Sequence, residues 1–346
     1  MSAENIKLTQ YSHGSGCGCK IAPAVLDKIL HTAFPKTTFP SLLVGNESKD
    51  DAAVMDIGNG NCLISTTDFF MPIVDDAFTF GSIASVNAIS DVYAMGGKPI
   101  MALAILGWPV EKLSPELAQK VLDGSRTICA KAGIPLAGGH SIDSPEPIFG
   151  LAVSGLIEKS NLKQNNTAKS GDLLYLTKPL GVGMISTAHK RGLALAADFE
   201  EAVQSMLQLN IIGEVFGKQS YIHAMTDITG FGLLGHLVEV CEGSGLSAEI
   251  NYANVPLLKN ISHYASNMIY PDNTMRNWSS YQDKIDGIGS ESFLTLSDPQ
   301  TSGGLMVCVA HEAQHEFEKL CLSHKLALKS FGRMTEFNSK TIKIIH

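Results

Sequence analysis

At 346 residues, with 45% hydrophobic and 17% charged side chains, the chain is too long for one ordinary core and too apolar to be disordered or fibrous, so it reads as a two-domain globular protein. A net charge of −8 argues against nonspecific binding to nucleic acid or to an anionic membrane, and leaves any phosphate ligand to be held locally by backbone amides and metal ions. The first seven residues lack the apolar core of a signal peptide, and the apolar run 100–106 is far short of a membrane span. The expectation is a cytoplasmic protein with reduced thiols.

In chain order, the first distinctive stretch is Ser12-His13-Gly14-Ser15-Gly16-Cys17-Gly18-Cys19-Lys20. It has no apolar face to bury, so its ordering is expected to come from a ligand, a partner or chemistry. Lys20 favours the thiolate at Cys17, which makes Cys17 a candidate nucleophile or soft ligand. A zinc half-site lacks a second Cys/His pair, since Cys62, Cys129, Cys241, Cys308 and Cys321 stand alone, and an inert tail leaves Lys20 without a purpose. A short helix follows Pro23, with Val25, Leu26, Ile29 and Leu30 at helical spacing and Pro35 and Pro40 closing it. Strand-like runs at 50–57 and 62–68 then flank an Asn59-Gly60 pair, the signature of a type I′ hairpin. That turn sets Asp51 opposite Asp68, where two carboxylates repel unless a cation lies between them or water solvates both.

Residues 80–95 predict a helix with Ile83, Val86, Ile89 and Tyr93 on its apolar face and Gly96-Gly97 as its stop. Asn87 and Asp91 stand four apart on it. Asp91, near the helix C-terminus, opposes the macrodipole, a placement that a bound cation reverses. A buried strand at 100–106 leads to a helix opened by Ser114-Pro115-Glu116, and a strand at 134–137 leads to Gly138-Gly139-His140-Ser141, read as a loop whose amides suit phosphate oxygens, though such a loop is more often only a turn. After a strand at 149–157, the polar, Asn-rich stretch 158–170 marks the domain boundary.

The second half predicts a strand at 173–177, a glycine loop at 178–183 that lacks a Walker ending, helices to 216, and a strand that ends at Asp227 before the turn Ile228-Thr229-Gly230-Phe231-Gly232. Asp227 is the fourth candidate metal carboxylate, with a helix N-cap as the alternative. A second polar glycine turn, 298–304, precedes a strand at 305–309, a helix at 312–324 and closing strands near Phe331 and Ile342. There is no serine-hydrolase elbow, kinase signature or complete dinucleotide fingerprint.

Together, the Cys17–Lys20 stretch, Asp50-Asp51-Ala52-Ala53-Val54, Thr66-Thr67-Asp68-Phe69-Phe70, the run from Asn87 through Asp91 to Gly97, Gly138-Gly139-His140-Ser141 and Thr226-Asp227-Ile228-Thr229-Gly230-Phe231-Gly232 resemble the selenophosphate synthetases (selenide, water dikinases), in order and without a missing motif. The resemblance implies an α/β chain of α+β type with the two-domain aminoimidazole ribonucleotide synthetase-like fold. In it the N-terminal domains of a homodimer form a β-barrel, with ATP near that interface. The implied division is a mobile segment over 1–47, an ATP-binding and dimerisation domain over 48–158 and a C-terminal α/β domain over 170–346.

The same resemblance implies that ATP, selenide and water yield selenophosphate, AMP and phosphate, with magnesium required, potassium commonly used, and neither nucleic acid nor membrane as a partner. By position, the reactive residue falls on Cys17 and the essential lysine on Lys20. The metal aspartates fall on Asp51, Asp91 and Asp227. Nucleotide contacts fall on Lys20, Ser48, Lys49, Asp50, Asp68, Asp91, Gly139, His140 and Ser141, some of them toward the neighbouring subunit's nucleotide. Residues 252–293 match nothing usable. Two other readings stand beside this one. Another ATP-using relative of the same fold group, such as a thiamine-phosphate kinase or a hydrogenase-maturation enzyme, shares the aspartates but has no need of Cys17. A non-enzymatic thiol or metal-binding protein instead uses Cys-Gly-Cys as a redox switch.

Overall fold

The computed structural model describes residues 6–21, 23–30, 38–46 and 49–346. Ser48 and Pro35, one of the two prolines expected to close the first helix, lie outside the described residues. The chain opens with helix α1 (Pro23–Leu30) and then builds a six-stranded sheet from β1 (Leu42–Val44), β2 (Ala53–Gly58), β3 (Asn61–Phe70), β4 (Lys98–Trp108), β5 (Leu136–Asp143) and β6 (Ile148–Glu158). Its order is β1-β2-β3-β6-β4-β5, antiparallel except for the β4–β5 pair.

Strict alternation decides which face of this sheet is dry. Along β3, Cys62, Ile64, Thr66 and Phe70 are buried, whereas Asn61, Ser65, Thr67 and Phe69 are exposed. The buried face packs on α2 (Ala77–Ala94) and, through it, on α3 (Pro115–Lys131). The opposite face carries Met55, Phe69, Leu103, Ile142 and Leu156, all large, apolar and exposed.

Helix α2 differs from the one-sided helix that its sequence suggests, because it is buried on every side from Phe80 to Ala94. A helix wrapped by protein needs no polar face, which is why Ser85, Asn87, Ser90 and Asp91 on it must find partners inside. Its close approach to α3 depends on two glycines: a Cβ on Gly81 would lie 1.9 Å from the Val121 carbonyl oxygen, and one on Gly124 would lie 2.0 Å from that of Phe78.

The second half builds a seven-stranded sheet in the order β10-β13-β9-β12-β7-β11-β8. Its strands are β7 (Leu173–Leu176), β8 (Ile222–Asp227), β9 (Ser247–Asn251), β10 (Ile285–Asp286), β11 (Leu305–Val309), β12 (Gly332–Thr335) and β13 (Ile342–Ile345). Between them run α4 (Val182–Lys190), α5 (Ala196–Met206), α6 (Ile212–Gly217), α7 (Gly232–Ser244), α8 (Ile261–Ser266), α9 (Asp272–Tyr281), α10 (Ser290–Leu296) and α11 (Gln314–Ser323). Residues of α4, α5 and α8 share one continuous apolar core with α2 and the first sheet, so the two halves are not separated by a polar gap. Among the described residues no helix is long and apolar enough to cross a membrane.

Two expectations are corrected. The hairpin turn is where Asn59-Gly60 puts it, with φ of 54° and 75° at its two central residues and Gly58 paired with Asn61. One residue further, however, Asp56 pairs with Cys62, so Ile57 is an extra residue and every later pair slips by one. Gly58, at φ 87°, donates its amide to Asp56 Oδ1 at 2.8 Å, which holds the bulge closed. Asp51 therefore does not face Asp68; β2 starts at Ala53, and Asp51 lies beyond the ladder. Second, Gly138 to Ser141 is not a loop but the middle of edge strand β5.

The glycine contact between α2 and α3 yields a stability prediction. Gly81→Ala gains helix propensity but forces the two helices apart, so it should lower unfolding free energy by about 1–3 kcal/mol in denaturant titration.

Candidate active site

Three aspartates from different elements meet beside α2. Asp91 sits in its last turn and accepts a 2.5 Å hydrogen bond from the Thr66 hydroxyl of β3. Asp227 ends β8, and Asp51 precedes β2, where its Oδ1 accepts from the Thr226 hydroxyl at 2.8 Å. Asp91 and Asp227 are 8% and 2% exposed, and Asp51 Oδ2 and Asp227 Oδ2 have no hydrogen-bond partner at all. Burial raises the pKa of each, and Asp227 raises those of Asp51 and Asp91 further, well above the ordinary carboxylate value; at Asp227 itself His236 and Lys20 offset part of the rise. Neighbouring Asp50, which accepts amide hydrogen bonds from Asp51 and Asn165, is pushed up to about 7 by burial.

Over this cluster lies the Cys17 turn, a 3-10 turn spanning Cys17–Cys19. Its order was expected to come from a ligand, a partner or chemistry, but contacts within the chain, from Thr301 and Gly230 of the second half and from Asn87, already seat it. The Cys17 amide donates to the Thr301 hydroxyl at 3.0 Å, and its Sγ donates to Asn87 Oδ1 at 3.2 Å, leaving Cys17 1% exposed. Asn87 is held in turn by the Ser302 amide at 2.8 Å and by its own donation to Asp68. Lys20 points Nζ at Asp68 Oδ2, 3.6 Å away, with its side chain 35% exposed. Burial opposes its charge, but Asp68, Cys17, Asp91 and Asp227 outweigh that and hold its pKa above the ordinary lysine value. Gly230, in the turn after Asp227, makes the contact possible, since a Cβ there would lie 2.7 Å from the Cys17 carbonyl oxygen. The two glycine stretches are thus packed on each other.

The structure brings together Cys17, Lys20, Asp51, Asp68, Asp91 and Asp227, with Asp50 and Lys49 at the margin, where Asn165 donates to the Lys49 carbonyl at 2.9 Å. It does not bring Gly139, His140 and Ser141: they lie on β5, three strands beyond β3 and about 14 Å away at ordinary strand spacing, exposed to solvent. Asn87, Thr226, Thr301 and Ser302 take part without having been assigned from sequence. Of these only Asn87 had a signal, its four-residue offset from Asp91.

The donor set fits magnesium held together with a nucleotide. Among the described residues no three His, Cys, Asp or Glu side chains form a ready cation cage. Magnesium is ordinarily held by one or two carboxylates plus substrate phosphates, and the two unpartnered oxygens are the groups such ions would take.

Comparison with known proteins places the chain in context. Residues 49–157 match the AIR synthase related protein N-terminal domain, and residues 169–345 match the C-terminal domain of the same family. A selenide, water dikinase of Aeromonas hydrophila is 56% identical over 95% of this chain and 96% of its own length. One from Colwellia psychrerythraea is 55% identical over 99% of both. The crystal structure of a thiamine-monophosphate kinase from Stenotrophomonas maltophilia shares the fold, with a TM-score of 0.65 at 20% identity over 88% of this chain and 91% of that one.

The raised carboxylates make stability fall with pH. The native state keeps protons on Asp50, Asp51, Asp91 and Asp298, the last pushed up to about 8 by burial, that the unfolded chain releases near pH 4. Lys178, lowered by burial to about 7, works in the opposite sense only above that pH. In magnesium-free buffer the thermal midpoint should therefore drop between pH 5 and pH 7, and Asp51→Asn should flatten the drop. A midpoint that rises over this range contradicts the cluster's protonation.

Proposed function

This chain belongs to the AIR synthase related family and, within it, to the selenide, water dikinases, which synthesise selenophosphate from ATP, selenide and water, and we propose that the buried aspartates under the Cys17 turn are where it does so. The observation that carries this reading is the pair of unpartnered, buried carboxylate oxygens on Asp51 and Asp227 beside Asp91. Such a cluster is costly without positive charge and becomes favourable when cations and phosphates arrive together. The products besides selenophosphate are AMP and phosphate.

Magnesium bound at Asp51, Asp91 and Asp227 would neutralise phosphate charge that develops during transfer. Lys20 supplies a further cation, released from Asp68 to the γ-phosphate or to the incoming anion. Selenide is already a strong, soft nucleophile, so the protein's work is to deliver it and keep water out, which is the task we assign to Cys17 at the entrance. The second transfer, from ADP to water, needs that exclusion relaxed. A 1–47 segment that closes for the first step and opens for the second serves both.

Homodimer formation through the first sheet accounts for Met55, Phe69, Leu103, Ile142 and Leu156 on its open face, and for nucleotide contacts at Ser48, Gly139, His140 and Ser141 being made toward the partner's site. Potassium and a cytoplasmic location complete the reading.

Selenide-dependent formation of AMP tests the function directly, whereas ADP as the final product would point to an ordinary kinase. Cys17→Ser should lose selenophosphate while nucleotide still binds, and Lys20→Ala should slow transfer itself. Asp51→Asn should leave the magnesium-free protein no less stable yet reduce magnesium-dependent turnover by about 100-fold or more, and normal turnover at low magnesium would remove Asp51 from the site.

A further inference from the structure

A cavity of about 310 Å³ opens on the outer side of the Cys17 turn, away from the aspartates. Gly18 and Thr301 form part of its wall, and the Thr301 hydroxyl accepts the Cys17 amide at 3.0 Å, so one residue separates the cavity from the thiol. Three permanent cations, Lys190, Arg191 and Arg276, line it against one carboxylate, Asp272. His13 also lines it but is paired with Glu146 at 2.8 Å. Arg191 donates only a long 3.4 Å bond to the Tyr270 carbonyl, and among the described residues neither Lys190 nor Arg276 forms a side-chain hydrogen bond or a salt bridge.

Cations on a surface are ordinary, and alone they would say nothing. One buried group in the same wall adds the second observation: Ser186 is 8% exposed and its hydroxyl has no partner. An unpaired buried hydroxyl is costly, and this one belongs to a residue lining a cavity with excess positive charge. The amides at the start of α4 are already taken, with Gly181 and Val182 donating to Gln300 Oε1 and Gly183 to Asp298 Oδ2. A ligand is therefore left to the side chains.

We propose that this cavity is a binding site for a small inorganic anion on its way to or from the Cys17 entrance, held by Lys190, Arg191 and Arg276 with the Ser186 hydroxyl donating to it. The proposal rests on the function assigned above, and that function offers two anions of this kind: selenide entering, and phosphate or selenophosphate leaving.

Steady-state kinetics of Lys190→Gln, Arg276→Gln and their double variant test it, together with calorimetric titration of the purified protein with inorganic phosphate and crystals soaked in iodide as a soft monoanion. If selenide enters here, each single substitution should raise KM for selenide about threefold to tenfold, the loss appearing in KM rather than kcat, and Arg276→Lys should restore part of it. If product leaves here, KM for selenide should stay put while inhibition by added phosphate weakens by a similar factor. Either result supports the site. Unchanged KM and unchanged phosphate inhibition in the double variant, or iodide and phosphate absent from the cavity in the wild type, overturns it. A wild-type protein that makes no AMP from ATP and selenide would defeat the functional reading alone, since the phosphate titration and the iodide soak still report on the cavity.

Discussion

The rest of the site depends on the crowding of like charge around α2. Two unit charges about 5 Å apart repel by roughly 3 kcal/mol at an effective dielectric near 20, and Asp51, Asp91 and Asp227 are all withdrawn from water as well. With no cation present the cheapest resolution is to hold protons, and the raised pKa of Asp51, Asp91 and Asp227 points the same way. A cluster that is neutral when alone and ionised when cations arrive couples nucleotide binding to proton release. Lys20 cannot do the same job by itself, because its charge is already committed to Asp68 at 3.6 Å.

That crowding is affordable because of where α2 runs. An amphipathic surface helix would let Asp91 turn to solvent, but α2 is enclosed by the first sheet, by α3 and by elements of the second half, so its polar residues have only protein to meet. Ser90 and Asn210 join across the two halves at 2.8 Å, and Ser90 helps hold down the pKa of Asp227. The helix that completes the first core is thus also the wall of the site, and the glycines that let α3 approach it keep that wall in place.

Much of this was legible in the sequence, and what was not has identifiable physical causes. Strands and helices followed from period and punctuation; Asp91 stood out by its place at a helix C-terminus and Asp227 by its place at a strand end, whereas Asp51 and Asp68 were singled out by a facing pair that the structure does not contain. The hairpin failed by one residue, since an Asn-Gly pair fixes the turn but carries no sign of a bulge two residues away. Gly138-Gly139 looked like a loop because glycine usually marks one; in β5 it instead permits a close approach, a Cβ on Gly139 lying 2.1 Å from the Ala104 carbonyl oxygen. Thr226, Thr301 and Ser302 could not be assigned, since a side chain that reaches across some 175 to 285 positions of chain leaves no local pattern.

The bonds of Asn87 bear on how Cys17 can react. Its Oδ1 accepts from both the Cys17 thiol and the Ser302 amide, and its amide nitrogen donates to Asp68, so the carboxamide is fixed from both ends and cannot rotate to offer Cys17 a donor. A thiol satisfies this arrangement because it has a proton to give. A thiolate does not, since it would face an acceptor at 3.2 Å. Lys20 favours the thiolate by charge, yet the hydrogen bond to Asn87 requires the thiol. The two demands are reconciled if the turn leaves Asn87 when the sulfur ionises, which would part the thiol from Asn87 and the Cys17 amide from the Thr301 hydroxyl. The bonds that fix Asn87 thus suit a thiol at Cys17, and a thiolate there needs another partner than Asn87.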